Sequence, residues 1–494
     1  MMLALRACAV AARLLAAPAL AWAPAAARAD DAVVTSFDGT AIVTHRFPAP
    51  GLAPGRRAPT ILNGPGWADT GEVDPGAGMV RKLNAAGYNV VTWAPRGFGA
   101  SGGTVSVDAP AVEGRDTSAI VDMVARQPWA QLDGAGDPRI GMAGFSYGAG
   151  IQYATAIADH RIDALVPVVG WHSLATSLYK DQTVKQGWDA LLYASGSASA
   201  DATAPGLDPH VASGFRQGLD TGVLSDADAG WFAARGPGDA VRAITAPTMV
   251  VGGTVDTLFP LDEDIKLYEA IRRGGAPVKM VWYCGGHGTC FTGAGTRHVE
   301  ALTLAWFARH LVRDPRARTG PGFEWVADDG RWRSAARWQP PPAAPVIARG
   351  RGTLKLVAGY GSGEASRATP APAARALQVR VVAPRAAQLV GAPRLTLRYS
   401  GTGVPSRGAK LFAQLVDVRR GIVVGNQVTP IPLVLDGRRR TVTRLLAPIA
   451  AAAAKGTRYT LQLVSGSQVW APQRGTGTIH VARATLVLPA VKPS

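Results

Sequence analysis

Gly144-Phe145-Ser146-Tyr147-Gly148 is the stretch on which the reading of this chain turns, because it sets a serine inside a G-x-S-x-G pattern. That pattern marks a sharp strand-to-helix turn holding a serine hydroxyl exposed at the top of an α/β sheet. The flanks agree with it. Arg139-Ile140-Gly141-Met142-Ala143 reads as a short buried strand, and residues 149–156 read as the start of a helix. Glycines at 144, 148 and 150 suit a strained turn with a close strand–helix crossing, where side chains have no room.

Working outward, residues 33–170 alternate short apolar runs with helical patterns, as a parallel α/β sheet requires. Asp38-Gly39-Thr40 is a turn signal between two opening strands. Strands are expected at 59–63, 88–93 and 164–169, with helices at 77–87 and from Glu113 to Gln127. Some seventy residues then separate the strand at 164–169 from Pro247-Thr248-Met249-Val250-Val251-Gly252. That is long for a connection, so residues of about 171–246 read as an inserted helical cap. A further strand follows at 277–283, and an amphipathic helix from Arg297 to Val312 closes the unit. From about Asp314 the texture changes to short alternating segments punctuated by Gly and Pro, which imply a β-sandwich or jelly roll. The expected architecture is an α/β-hydrolase sheet with a cap over residues 30–318, then a jelly-roll domain over 319–494.

A serine hydroxyl is a weak nucleophile and needs a base, itself oriented by a carboxylate. In this architecture the partners follow in the order Ser, Asp or Glu, His, on loops after sheet strands. Asp256 follows the strand ending at Gly252, and His287 follows the next one, within Cys284-Gly285-Gly286-His287-Gly288-Thr289-Cys290. The rival readings are a turn-capping aspartate for Asp256, and a surface-loop residue or thiol-flanked metal ligand for His287. A disulfide between Cys284 and Cys290 closes a small loop around the histidine and stiffens it, whereas a zinc site there lacks an evident fourth ligand. For the oxyanion, the donors are the N–H of Tyr147 and one from Asn63-Gly64-Pro65-Gly66-Trp67. Pro65 has no N–H, so that second donor falls to Gly66 or Trp67. No metal or organic cofactor is needed for this chemistry.

At 494 residues, two globular domains are expected, and 47% apolar with 18% charged residues is the balance of a folded chain. Residues 1–29 stand apart. Arg6 and Arg13 precede an Ala/Leu-rich run from Leu14 to Ala23, and Ala27-Arg28-Ala29 fits a small-x-small cleavage site. These features predict a secretory signal cleaved before Asp30, hence a secreted or periplasmic protein. No later stretch approaches the roughly 20 apolar residues of a membrane-spanning helix. The net charge of +17 lies in the C-terminal part, where residues 313–494 hold 28 Lys/Arg against 7 Asp/Glu. Such a domain suits weak electrostatic association with an acidic envelope surface, or simply an Arg-rich solvated surface. Aromatics do not interleave with these charges, which argues against nucleic acid.

With these residues in view, the chain resembles the Xaa-Pro dipeptidyl-peptidase and cocaine esterase family of serine hydrolases. The resemblance rests on Asp38-Gly39-Thr40, Arg96-Gly97-Phe98-Gly99-Ala100-Ser101-Gly102, and Asp116 with Gln127-Pro128-Trp129. Gly144-Phe145-Ser146-Tyr147-Gly148, Gly253-Thr254-Val255-Asp256 and Gly286-His287-Gly288 continue it, and residues 411–418 look like the family's jelly-roll strand. It is strong to about residue 312 and looser beyond. It implies Ser146 as nucleophile, His287 as general base then acid, and Asp256 as the orienting carboxylate. It also implies a cap over an acyl pocket, with Trp171, Tyr179 and Trp188 as pocket aromatics; His172 is a further candidate. One departure stands out. Family members often carry a tyrosine after the proline of the oxyanion loop, where this chain has Gly66 and then Trp67. A backbone N–H or the Trp67 indole N–H must then serve in its place. The expected substrate is a small molecule or peptide bearing an ester or amide, and Asp181 or Asp189 is available to hold a peptide α-ammonium. A small-ester hydrolase, a secreted acyltransferase and a non-catalytic binding protein on this scaffold are the other readings.

Overall fold

The computed structural model describes residues 30–200, 206–290, 292–293, 295–359 and 370–492. The expected leader at 1–29 lies outside them. The first sheet has ten strands: β1 (Asp30–Thr35), β2 (Ala41–Phe47), β3 (Thr60–Gly64), β4 (Asn89–Trp93), β5 (Ile140–Phe145), β6 (Ile162–Val168), β7 (Thr248–Gly253), β8 (Val278–Tyr283), β9 (Phe323–Val326) and β10 (Trp332–Ala335). Their spatial order is β1-β2-β4-β3-β5-β6-β7-β8-β9-β10. Every pairing from β4 through β9 is parallel, while β1, β2 and β10 run antiparallel to their neighbours. Parallel strands are covered by helices on both faces, so they are apolar along their length rather than alternating. β7, Thr-Met-Val-Val-Gly-Gly, is buried at all six positions.

Helices obey their own chemistry. Leu261–Gly274 carries Asp262, Glu263 and Asp264 in its first turn and Arg272 and Arg273 in its last, matching the helix dipole, and Gly275 ends it at φ 95°. Thr296–His310 buries Val299, Leu302, Trp306 and Phe307, spaced as one helical face. Between β6 and β7 the cap consists of Leu174–Leu178, Gln186–Ser199, Pro209–Asp220 and Asp226–Ala233, followed by a 3₁₀ segment at Gly238–Ala243.

β9 and β10 correct one boundary. Both lie beyond residue 318, yet Phe323–Val326 pairs with β8, so strand pairing carries the first sheet to Ala335. Short strands resemble each other whichever sheet they join, and only the partner decides membership.

The second sheet system has nine antiparallel strands: β11 (Pro342–Leu356), β12 (Leu377–Val382), β13 (Ala387–Gly391), β14 (Arg394–Asp417), β15 (Ile422–Asp436), β16 (Arg440–Leu445), β17 (Ile449–Ala453), β18 (Arg458–Val464) and β19 (Thr476–Val491). The long β14 passes between two layers. Its first part pairs with β16 and β19, and its second with β15 and β18. Leu395, Leu397, Leu411, Leu461 and Leu486 fill the space between the layers, giving a β-sandwich. Val390, Ala450 and Val491 of this domain share a second apolar cluster with Trp282, Phe323 and Trp325 of the first. The two domains thus close over a common core.

Candidate active site

β5 ends at Phe145, and the helix Tyr147–Ala156 starts one residue after Ser146. Ser146 sits at φ 58°, ψ −114°, a conformation side chains other than glycine rarely adopt, costing on the order of 1–3 kcal/mol. Its N–H donates to Val168 O at 2.9 Å, and its carbonyl accepts from Ala149 N–H at 2.8 Å. Gly148 makes the tight crossing possible, since a Cβ there would lie 2.2 Å from Gly64 O.

Asp256 and His287 reach the same point from the loops after β7 and β8. Ser146 Oγ lies 2.8 Å from His287 Nε2, and His287 Nδ1 lies 2.7 Å from Asp256 Oδ2. The Asp256 carboxylate is fully buried and accepts three backbone N–H bonds besides. Oδ2 takes that of His287 at 3.0 Å, while Oδ1 takes those of Leu258 at 2.8 Å and Phe259 at 2.9 Å. Hydrogen bonds of this kind fix the carboxylate in place. With Nδ1–H directed at Asp256, Nε2 faces the serine as an acceptor. The rings of Phe145, Phe259 and Trp188 stand 5.0, 5.3 and 5.7 Å from the imidazole. Cys284 and Cys290 form a disulfide bracketing His287, so neither thiol is available to a metal.

Tyr147 is the first helical residue after the serine, with its N–H at the helix N-terminus. The Trp67 indole is not free to replace the family's phenol, because its N–H donates to Leu192 O in the cap at 2.8 Å. The backbone N–H groups of Gly66 and Trp67 are left as candidates for the second donor.

Above the serine, the cap encloses about 850 Å³ of space, counted with its mouth. Its walls are almost wholly apolar and include Trp67, Trp171, Tyr179, Tyr193, Phe215 and Phe259. The Tyr193 and Phe215 rings stack at 4.3 Å. Among the described residues Asp189 is the one carboxylate in the lining; burial among these side chains pushes it up to about 8, with Lys185 opposing the shift. Asp181 is outside the pocket, exposed and 3.9 Å from Arg444 Nε.

Of the residues expected in the pocket, Trp171 and Tyr179 line it, while Trp188 does not. The Trp188 indole N–H donates to Thr257 Oγ1 at 3.0 Å, which draws its ring against His287 instead. His172 also lies outside the lining, with its backbone N–H donating to Glu263. Two supporting residues carry no sequence signal. Lys185, 1% exposed, donates to the carbonyls of Thr257 and Leu258, each at 2.8 Å. Gln427 of the second domain donates to Asp256 O at 2.7 Å. A lysine just before a cap helix and a glutamine in a strand look like surface residues until the partners are known.

Comparison with known proteins agrees with this geometry. The model of the X-Pro dipeptidyl-peptidase (S15) family matches residues 38–289, more than half the chain. The chain belongs to that family. As an S15 member it is a serine-type hydrolase. No curated protein matches its sequence. Among solved structures, a CocE/NonD family hydrolase from Staphylococcus aureus is similar at TM-score 0.69 and 14% identity, covering 93% of each chain. An α-amino acid ester hydrolase gives 0.70 and 14%, covering 96% of this chain and 98% of that one. An aminopeptidase from a marine sediment Thaumarchaeota archaeon gives 0.69 and 14%, covering 94% and 96%. At these identities the likeness is one of fold, and it spans both domains of the S15 member.

Proposed function

We propose that this chain is an exported serine hydrolase cleaving an ester or amide through an acyl-enzyme at Ser146. The carrying observation is the hydrogen-bonded series Ser146–His287–Asp256 at the floor of an apolar pocket. Ser146 Oγ attacks the carbonyl carbon as His287 Nε2 takes its proton. Asp256 orients the imidazole and stabilises the imidazolium that forms. The oxyanion is held by the N–H of Tyr147 and that of Gly66 or Trp67. His287 then protonates the leaving alcohol or amine, and water, activated by the same imidazole, releases the acid. The leader at 1–29 and the Cys284–Cys290 disulfide support export.

The apolar lining favours a bulky apolar acyl group. Asp189 favours a second reading, in which an α-ammonium enters the pocket as in release of Xaa-Pro dipeptides. A panel of nitrophenyl esters of increasing acyl length beside Xaa-Pro nitroanilides separates the two. The acyl reading expects kcat/KM to rise with chain length and Asp189→Asn to leave esters within a few-fold. Turnover of Xaa-Pro anilides that Asp189→Asn abolishes selects the peptidase reading. No turnover of either class contradicts both.

A further inference from the structure

The outer face of the sandwich layer built from β11, β19, β14 and β16 has no role in the chemistry above. Registers place its outward residues in rows across neighbouring strands. Ile347 pairs with Val487, Val487 with Arg394, and Arg394 with Leu445. Two residues along, Arg349 pairs with Thr485, Thr485 with Thr396, and Thr396 with Thr443. Thr396 and Thr443 hydrogen-bond through their hydroxyls at 2.9 Å, which fixes them on one side. In the next row Arg483 lies directly opposite Arg398, and Arg351 sits at the adjoining bulge of β11. Lys355 lies further along β11.

Three features set this face apart from an ordinary solvated surface. Arg349, Arg351, Lys355, Arg394, Arg398 and Arg483 are all exposed, and these strand segments contain no Asp or Glu (residues 342–356, 394–399, 440–445 and 476–491). None of the six has an ion-pair partner among the described residues, although other arginines of the domain do, as Arg440 with Asp436 and Arg420 with Asp328. Like charges directly opposite across a ladder are unfavourable, so the Arg398–Arg483 pair costs the sheet local stability. Finally, the row that holds Arg394 also carries three apolar residues, Ile347 exposed at 49%, Leu445 at 62% and Val487 half-buried between them.

We propose that this face docks on a bilayer surface rich in anionic phospholipid. Arginine guanidinium groups bind phosphate oxygens in bidentate fashion. A layer of four strands at ~4.8 Å spacing offers a shelf about 15 Å wide, broad enough to meet several headgroups together. The apolar row decides between possible polyanions. Ile347, Val487 and Leu445 gain nothing from a hydrated acidic polysaccharide, whereas at a bilayer they enter the acyl boundary while the arginines hold the phosphates. The face carries no Phe, Tyr or Trp on which nucleobases could stack, and its one imidazole, His480, is hydrogen-bonded to Thr353 at 3.0 Å.

Flotation of the purified full chain with vesicles tests the proposal, using phosphatidylglycerol-containing vesicles beside pure phosphatidylcholine. The expected result is association with the anionic vesicles only, lost as salt rises from about 50 mM to about 500 mM through screening. Arg351→Gln/Arg398→Gln/Arg483→Gln should weaken partitioning on the order of 100-fold, since each cation near an anionic surface contributes about five-fold. Ile347→Ser/Leu445→Ser should also weaken it while keeping the salt dependence. Hydrolysis of a soluble nitrophenyl ester should be unchanged in both variants, which shows that they fold. Absence of binding to anionic vesicles at low salt overturns the proposal. So does equal binding by the arginine variant, or binding to soluble polyphosphate without binding to vesicles.

Discussion

At the scale of single residues, the site is a set of groups whose alternatives have been removed. Asp256 spends both oxygens on four hydrogen bonds, His287 is bounded by three rings, and the Trp67 indole N–H is committed to the cap. Asp189 differs, because among the described residues no hydrogen bond offsets the burial that pushes it up to about 8. Its raised value means the carboxyl is neutral at pH 7 and becomes charged as pH climbs through about 8. An apolar acyl ester should therefore show a flat KM below that point and a rising KM above it. Asp189→Asn should flatten the upper limb, as read from KM against pH. A ligand carrying an α-ammonium reverses the sign, since it stabilises the charged carboxylate and binds more tightly until its own amine deprotonates. Ser146, Asp256 and His287 were legible in the sequence because their chemistry is tied to chain order and to strand ends. Asp189 and Asp181 looked alike there; only the helical phase of Gln186–Ser199 turns the former into the pocket.

Elements tell a similar story. β3, β4, β5, β7 and β8 could be read from continuous apolar runs, and the closing helix from its periodicity. The cap could be expected from its length alone, and its helices could not be placed, because small residues at Gly196, Gly214 and Gly218 form their contacts. The loop after β8 is the element on which activity hinges. Gly286 passes so close to Asp256 that a Cβ would lie 2.5 Å from its Oδ2, and the disulfide fixes both ends of the turn. Closing a loop this small removes about 2 kcal/mol of unfolded-state entropy. Cys284→Ser/Cys290→Ser should lower kcat by about ten-fold or more with little change in KM, since imidazole placement is lost rather than pocket shape. Unchanged kcat in that variant, measured by steady-state kinetics, would show that the loop holds His287 without the bridge.

On the scale of the whole molecule, the second domain is part of the site's support. The Lys185 ammonium lies 5.1 Å from the Trp470 ring while bonding the carbonyls that follow Asp256. Ala471 N–H donates to Val184 O at 2.7 Å, and Gln427 bonds Asp256 O. Cap, acid loop and sandwich therefore meet at one buried lysine, a junction no local pattern announces. Lys185→Met keeps the apolar bulk and removes the ammonium that donates to the Thr257 and Leu258 carbonyls, where a buried group left unsatisfied costs about 1–3 kcal/mol. It should lower the stability found by denaturant unfolding and reduce kcat, even though Lys185 touches no reacting atom. The boundary after Ala335 fits this picture, because β9 and β10 join the first sheet and carry Trp325 into the core shared with Val491.

The proposed mechanism makes Ser146 Oγ the atom that becomes acylated. Intact-mass and peptide analysis after treatment with a fluorophosphonate probe tests that most directly. Stoichiometric labelling of Ser146 is expected, with none in Ser146→Ala and labelling markedly slowed in His287→Ala. Failure of the wild-type chain to label, or equal labelling of Ser146→Ala, would contradict it.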